Sequence, residues 1–106
     1  MVSVKEEFLP YLRAKQRALQ ITIHAQNRSV SRSIPISVFE ADLKGEPVAV
    51  VEKQADRKDE RMFDLYYHQR GDYFHRYVVV LNDCLRLITL MRVSKSKQVL
   101  AKNRGR

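Results

Sequence analysis

The stretch 62-MFDLYYHQRGDYFHRYVVVLNDCLRLITLMRV-93 decides the fold. It holds three runs of strand-forming residues separated by two short turns. Residues 62–69, 73–81 and 84–93 read as strands. Arg70-Gly71-Asp72 supplies a glycine for a positive φ. Asn82-Asp83 is a two-residue hairpin connection, weaker than Asn-Gly. With Val48-Ala49-Val50-Val51 in front, these runs predict a meander of four antiparallel strands.

Side chains alternate between the two faces of a strand. In 62–69, Met62, Asp64, Tyr66 and His68 share a face, opposite Phe63, Leu65, Tyr67 and Gln69. In 73–81, Tyr73, His75, Tyr77, Val79 and Leu81 oppose Phe74, Arg76, Val78 and Val80. Alternation in 84–93 groups Leu85, Leu87, Thr89, Met91 and Val93 against Cys84, Arg86, Ile88, Leu90 and Arg92. Each strand is apolar on one side, and the other side mixes Tyr, His and Arg with aliphatics. Tyr, His and Arg on a sheet surface can stack bases and hold phosphates, which makes Tyr66, His75, Tyr77, Arg86 and Arg92 candidates for nucleic-acid contact.

Upstream of the meander the pattern is helical. Ser3 and Glu6 have the spacing of a capping box. Val4, Phe8, Leu12 and Leu19 recur near the helical period and predict a basic helix, delayed or kinked at Pro10. Ile21-Thr22-Ile23 is a short β-branched run that reads as a strand or an extended exit. A helix from His24 to about Arg32 follows. Pro35 pushes Ile34 out of the α region. A further helix over 35–43 ends at Gly45, a C′-type glycine, with Pro47 forbidding continuation. The expected architecture is an α+β two-layer domain. Its N-terminal helices pack on one face of a four-stranded antiparallel sheet, five-stranded if Ile21-Thr22-Ile23 joins it.

Length and composition bound the rest. One hundred and six residues make one domain, with a hydrophobic fraction of 44% suited to a globular core. The domain is expected over 1–94, with a basic helix over 1–20 and a basic, flexible tail over 95–106. Cys84 has no disulfide partner in the chain and sits in an apolar run, where it reads as a small buried hydrophobe. The N-terminus is charged throughout and lacks an apolar signal region, and 77-YVVVL-81 is too short to span a bilayer. The expectation is a cytoplasmic protein with no membrane contact.

The formal charge is +8, and it is uneven. Residues 94–106 carry +5 and residues 1–33 carry +4, against −2 over 34–55 and +1 over 56–93. Basic ends on a near-neutral middle suggest a polyanion partner, most often nucleic acid. Lys95 and Lys97 in the tail are candidate phosphate contacts. By contrast, 56-DRKDER-61 has three charges of each sign and reads as a solvated loop.

His24, Arg28 and Arg32 stand four apart, so a helix places them on one flank. That flank combines one base able to titrate near neutrality with two permanent cations. It is either an anion-handling site or a solvated helix face. No HxH, HxxxH or CxxC spacing supports a metal site, and no glycine-rich phosphate loop is present. The reading calls for no cofactor and no metal.

The segment 24-HAQNR-28, then Arg32, then Ile34-Pro35 and a short helix resembles a small prokaryotic domain family of unknown function (family 4258 of such domains). Its loose pattern opens with a strand, His-Ala, an Arg four after the His and a second Arg before an Ile. A short helix and a meander follow. Here 77-YVVVL-81 and 85-LRLIT-89 look like the closing strands, and the resemblance covers about 21–93. That family is similar in fold to the RelE-like and BrnT-like ribonuclease toxins, and 86-RLITLMRVSKSK-97 resembles the final strand of BrnT-like proteins.

The resemblance implies an RNA-binding, metal-independent ribonuclease scaffold. In that chemistry a ribose 2′-hydroxyl attacks the neighbouring phosphorus, a base takes the hydroxyl proton and cations stabilise the phosphorane. It makes His24 and Arg28 the catalytic candidates, with Arg32, Arg86 and Arg92 holding phosphates. It also implies RNA as partner, with an antitoxin-like protein as a second one. The alternatives are a non-catalytic nucleic-acid-binding module and a protein-interaction domain acting as a homodimer.

Overall fold

A computed structural model describes residues 3–15, 19–55, 57–71 and 73–94. Its helices are α1 (Val4–Lys15), α2 (Ile23–Ser31) and α3 (Ile36–Leu43). Its strands are β1 (Leu19–Ile21), β2 (Ala49–Lys53), β3 (Arg61–Arg70), β4 (Tyr73–Leu81) and β5 (Leu85–Ser94). The five strands form one sheet in the order β1-β5-β4-β3-β2. The meander β2–β5 is antiparallel throughout, and β1 joins its far edge parallel to β5. The architecture is the expected α+β two-layer domain. The fifth strand lies at Leu19–Ile21 and shares only Ile21 with the β-branched run; pairing parallel to β5, it makes the sheet mixed rather than wholly antiparallel.

All three helices bury their apolar side chains on one face of the sheet. Phe8 and Leu12 of α1, Ala25 of α2, and Phe39 and Leu43 of α3 meet Phe63, Leu65, Tyr67, Tyr77, Val79, Leu85, Leu87 and Leu90. Phe8 lies on Phe63 with ring centroids 4.6 Å apart, which seats α1 over β2 and β3. Arg61 reinforces that seat. Its guanidinium takes both oxygens of Glu52 at 2.9 and 2.8 Å and one oxygen of Glu7 at 2.7 Å. The hydrogen bonds that Arg61 donates to these two carboxylates hold its pKa up.

Local chemistry sets the element ends. The Ser3 hydroxyl accepts from the Glu6 amide at 3.1 Å, one half of the capping box. The helix includes Pro10 rather than starting after it. Thr22 caps α2, accepting from the Ala25 amide at 3.0 Å. The strand therefore ends at Ile21, and Ile23 already belongs to the helix. Ser33 takes a left-handed φ of 54°, and Ser29 Oγ donates to the Ile34 carbonyl at 2.5 Å across the same turn. Gly71 has the expected positive φ of 57°. Gly45 does not; α3 closes through the Gly45 amide on the Asp42 carbonyl at 3.0 Å.

One irregularity re-sorts the last strand. Val79 pairs with Leu87, yet Val78 pairs with Thr89, so Ile88 is an extra residue in β5. The bulge breaks strict alternation. Leu85, Leu87 and Leu90 all face the helices, and Thr89 and Met91 face away. Arg86 and Arg92, which simple alternation grouped together, fall on opposite faces.

Candidate functional site

Helix α2 packs against β5, and its exposed flank carries the sequence-predicted pair. His24 and Arg28 are both exposed, and Arg28 Nε donates to His24 Nε2 at 3.5 Å. Such a bond uses the lone pair of Nε2, so it exists only with a neutral imidazole. No acidic residue occurs anywhere in the helix. The third member of the expected triplet is employed differently. Arg32 Nη1 donates to the Leu90 carbonyl at 2.8 Å. Thr22 Oγ1 similarly donates to the Ile88 carbonyl at 3.3 Å, and the Thr22 amide to the Leu87 carbonyl at 3.2 Å. β1 pairs with β5 only over Leu85–Leu87, so these bonds close the edge of β5 beyond it.

The candidates read from the strands do not form one open aromatic surface. Tyr66 lies on the helix-free face and is buried there. Burial pushes its phenol above the ordinary value, and the nearby Arg76 guanidinium works against this. Tyr77 lies on the opposite face, fully buried, with its ring 4.7 Å from that of Phe39 and 5.7 Å from that of Tyr67. Neither ring leaves a side open for a base to stack on. Period-two alternation alone could not have shown this, because the covering residues come from α3 and the neighbouring strands. Arg86 is half-buried on the helix-free side, 3.7 Å from Glu60. Lys95 and Lys97 lie outside the described residues.

His75 is 6% exposed and belongs to a hydrogen-bonded group that sequence reasoning missed. Tyr77 Oη donates to Asp42 Oδ2 at 2.5 Å. His75 Nδ1 lies 2.9 Å from Tyr77 Oη and 3.7 Å from Asp42 Oδ2. Gln69 Nε2 donates to the same Asp42 oxygen at 3.1 Å. Arg92 is the register partner of His75 on β5, and Tyr67 its partner on β3. Burial lowers the His75 pKa; Asp42 opposes that shift and Arg92 adds to it. Burial and the Asp42 carboxylate together raise the Tyr77 phenol far out of the physiological range. Tyr67 is raised for the same two reasons.

The opposite face holds a different cluster. Asp64, 1% exposed, takes Arg76 Nη2 at 2.8 Å and Lys53 Nζ at 3.1 Å on one oxygen. Its other oxygen and Arg76 Nε are buried without a hydrogen-bond partner. Among the described residues no group of three or more His, Cys, Asp or Glu side chains is placed to hold a metal ion. No helix among them is long and apolar enough to cross a membrane.

No family model, curated protein or solved structure matches this chain.

Proposed function

We propose that the chain is an RNA-binding domain of the RelE/BrnT-like kind, with His24 and Arg28 as a metal-independent cleavage pair. The observation that carries this reading is their pairing at 3.5 Å on an exposed, acid-free helix flank. Once Arg28 turns from His24 Nε2 to the phosphate, the imidazole can exchange a proton with the reacting ribose or the departing oxygen. The element order supports the reading too. A strand, the His-bearing helix, a short helix and a meander follow one another as in the family this sequence resembles.

Cleavage of a labelled single-stranded RNA in EDTA tests it. Wild type should cut, and His24→Ala should cut about 10²–10⁴-fold more slowly while staying folded. Arg28→Ala should lose both rate and salt-sensitive retention of the RNA. Retention without cleavage would reduce the proposal to a binding module. RNA that is neither cut nor retained would sink it.

The same helix favours a second reading, in which a protein covers it. Ile23 and Val30 are seven residues apart on one side of α2, 76% and 81% exposed. A second copy in that role requires a dimer by light scattering; a monomer at high concentration rules it out.

A further inference from the structure

The direction of hydrogen bonding around Tyr77 fixes the state of His75. An ionised carboxylate only accepts, so the Tyr77 hydroxyl spends its single hydrogen on Asp42 Oδ2. The phenol oxygen can then only accept from His75, so the imidazole hydrogen sits on Nδ1. In the neutral ring this leaves the lone pair on Nε2. Among the described residues Nε2 has no hydrogen-bond partner. The arrangement is that of an oriented base: a carboxylate holds a hydroxyl, the hydroxyl holds one ring nitrogen, and the other nitrogen is free.

The flanking groups suit an anionic substrate. Arg92 is directly across the strand pair from His75 and is exposed, whereas Asp42 is committed to Tyr77 and Gln69. Directly opposite residues on one sheet face have Cβ atoms about 4.5–5.5 Å apart, within reach of one phosphodiester. On the other side, Tyr67 directs its hydroxyl to the Gly45 carbonyl at 3.5 Å and so does not compete for the ring.

We infer that His75 is a second acid–base residue of this protein, positioned by Tyr77 and Asp42, and that Arg92 beside it takes the phosphate of an RNA strand. The inference rests on the RNA reading above and deepens it. In the step it implies, the ribose 2′-O–H bond breaks and its proton passes to His75 Nε2. The 2′-oxygen bonds to phosphorus, and the bond from phosphorus to the 5′-oxygen breaks. The departing oxygen takes a proton from water, giving a 2′,3′-cyclic phosphate and a 5′-hydroxyl. Burial, opposed by Asp42 and helped by Arg92, shifts the imidazole toward its neutral form, the form a base requires.

Two measurements on the full chain test this. The first is ¹⁵N NMR of the imidazole rings, assigned by His→Gln variants. His75 should show the Nδ1–H tautomer, and its Nε2 signal should move when a 2′-deoxy strand of the same sequence as the RNA is added. The second is RNA cleavage in EDTA as a function of pH. His75→Gln should slow cleavage at least about 100-fold with RNA still retained. Arg92→Gln should weaken retention and move the acid limb of the rate to higher pH. Asp42→Asn should move that limb to lower pH, a shift that a purely structural role would not produce.

A His75 ring blind to the strand overturns the inference. So does a folded His75→Gln variant that cuts at the wild-type rate; both outcomes leave the RNA reading standing. Binding without any cleavage removes the acid–base role. A wild type that neither binds nor cuts RNA overturns both readings together.

Discussion

Two aspartates, set against opposite faces of the same sheet, are held by different means: Asp42 of α3 is half-buried and Asp64 of β3 is fully buried. On the helix-covered face, Asp42 is held by neutral donors, the Tyr77 hydroxyl and the Gln69 amide, with His75 alongside. On the helix-free face, Asp64 is held by two cations and leaves one oxygen without a partner. Neutral donors stabilise a carboxylate without cancelling its charge, so Asp42 still acts on whatever titrates beside it. Cations cancel the charge, and the Asp64 cluster has no histidine in it. The contrast marks the first cluster as a setting for proton chemistry and the second as a fastening between β2, β3 and β4.

The sharpest way to break this contrast is to remove one cation from Asp64. Arg76→Met leaves a carboxylate that is 1% exposed with Lys53 alone, and should cost about 3 kcal/mol in urea unfolding. The double variant Asp64→Leu/Arg76→Met should recover most of that loss, because an apolar pair carries no desolvation penalty. An undiminished stability in the single variant would show that the cations do not hold Asp64.

The next effect is a dependence on pH that only the helix-covered cluster should show. His75 has a folded pKa below its ordinary value of 6.5, so the unfolded chain binds the proton more tightly. Its contribution is complete above 6.5 and is lost as pH falls through the folded value. Unfolding free energy should therefore drop as pH is lowered from about 7.5 through the imidazole range. His75→Gln should flatten that slope, and an unchanged slope would place its origin elsewhere.

The smallest effect concerns Lys53, which is 42% exposed at its side chain. Lys53→Ala should cost less than about 1 kcal/mol, because an exposed cation gains little from its partner. A loss as large as that for Arg76→Met would mean that the two cations share Asp64 equally.

Much of the fold was legible in the sequence, because alternation and turn chemistry are local. The runs 62–69, 73–81 and 84–93 became β3, β4 and β5 within a residue or so, and Gly71 carries the positive φ its turn needs. The His24–Arg28 pair was legible as well, since helical spacing alone predicts it. The Asp42–Tyr77–His75 cluster was not. Asp42 and Tyr77 are 35 residues apart, and nothing local says that α3 ends over β4. The faces of β5 were misread for one reason: Ile88 is an extra residue, and an extra apolar residue in an apolar run leaves no mark in the sequence. Arg32 was expected to meet a phosphate. Its spacing was read correctly, but a backbone carbonyl on β5 claims at least one of its nitrogens.

That last bond has a bearing on self-association. A strand edge with free carbonyls is a template on which other chains can add strands. Among the described residues no strand lies beside the edge of β5 past Leu87, and Thr22 and Arg32, at the two ends of α2, occupy its Ile88 and Leu90 carbonyls. The helix thus serves as a guard rail for the sheet as well as a cationic surface. Changes that recruit Arg32 to a ligand would uncover that edge, so tighter anion binding at this position and resistance to aggregation pull in opposite directions.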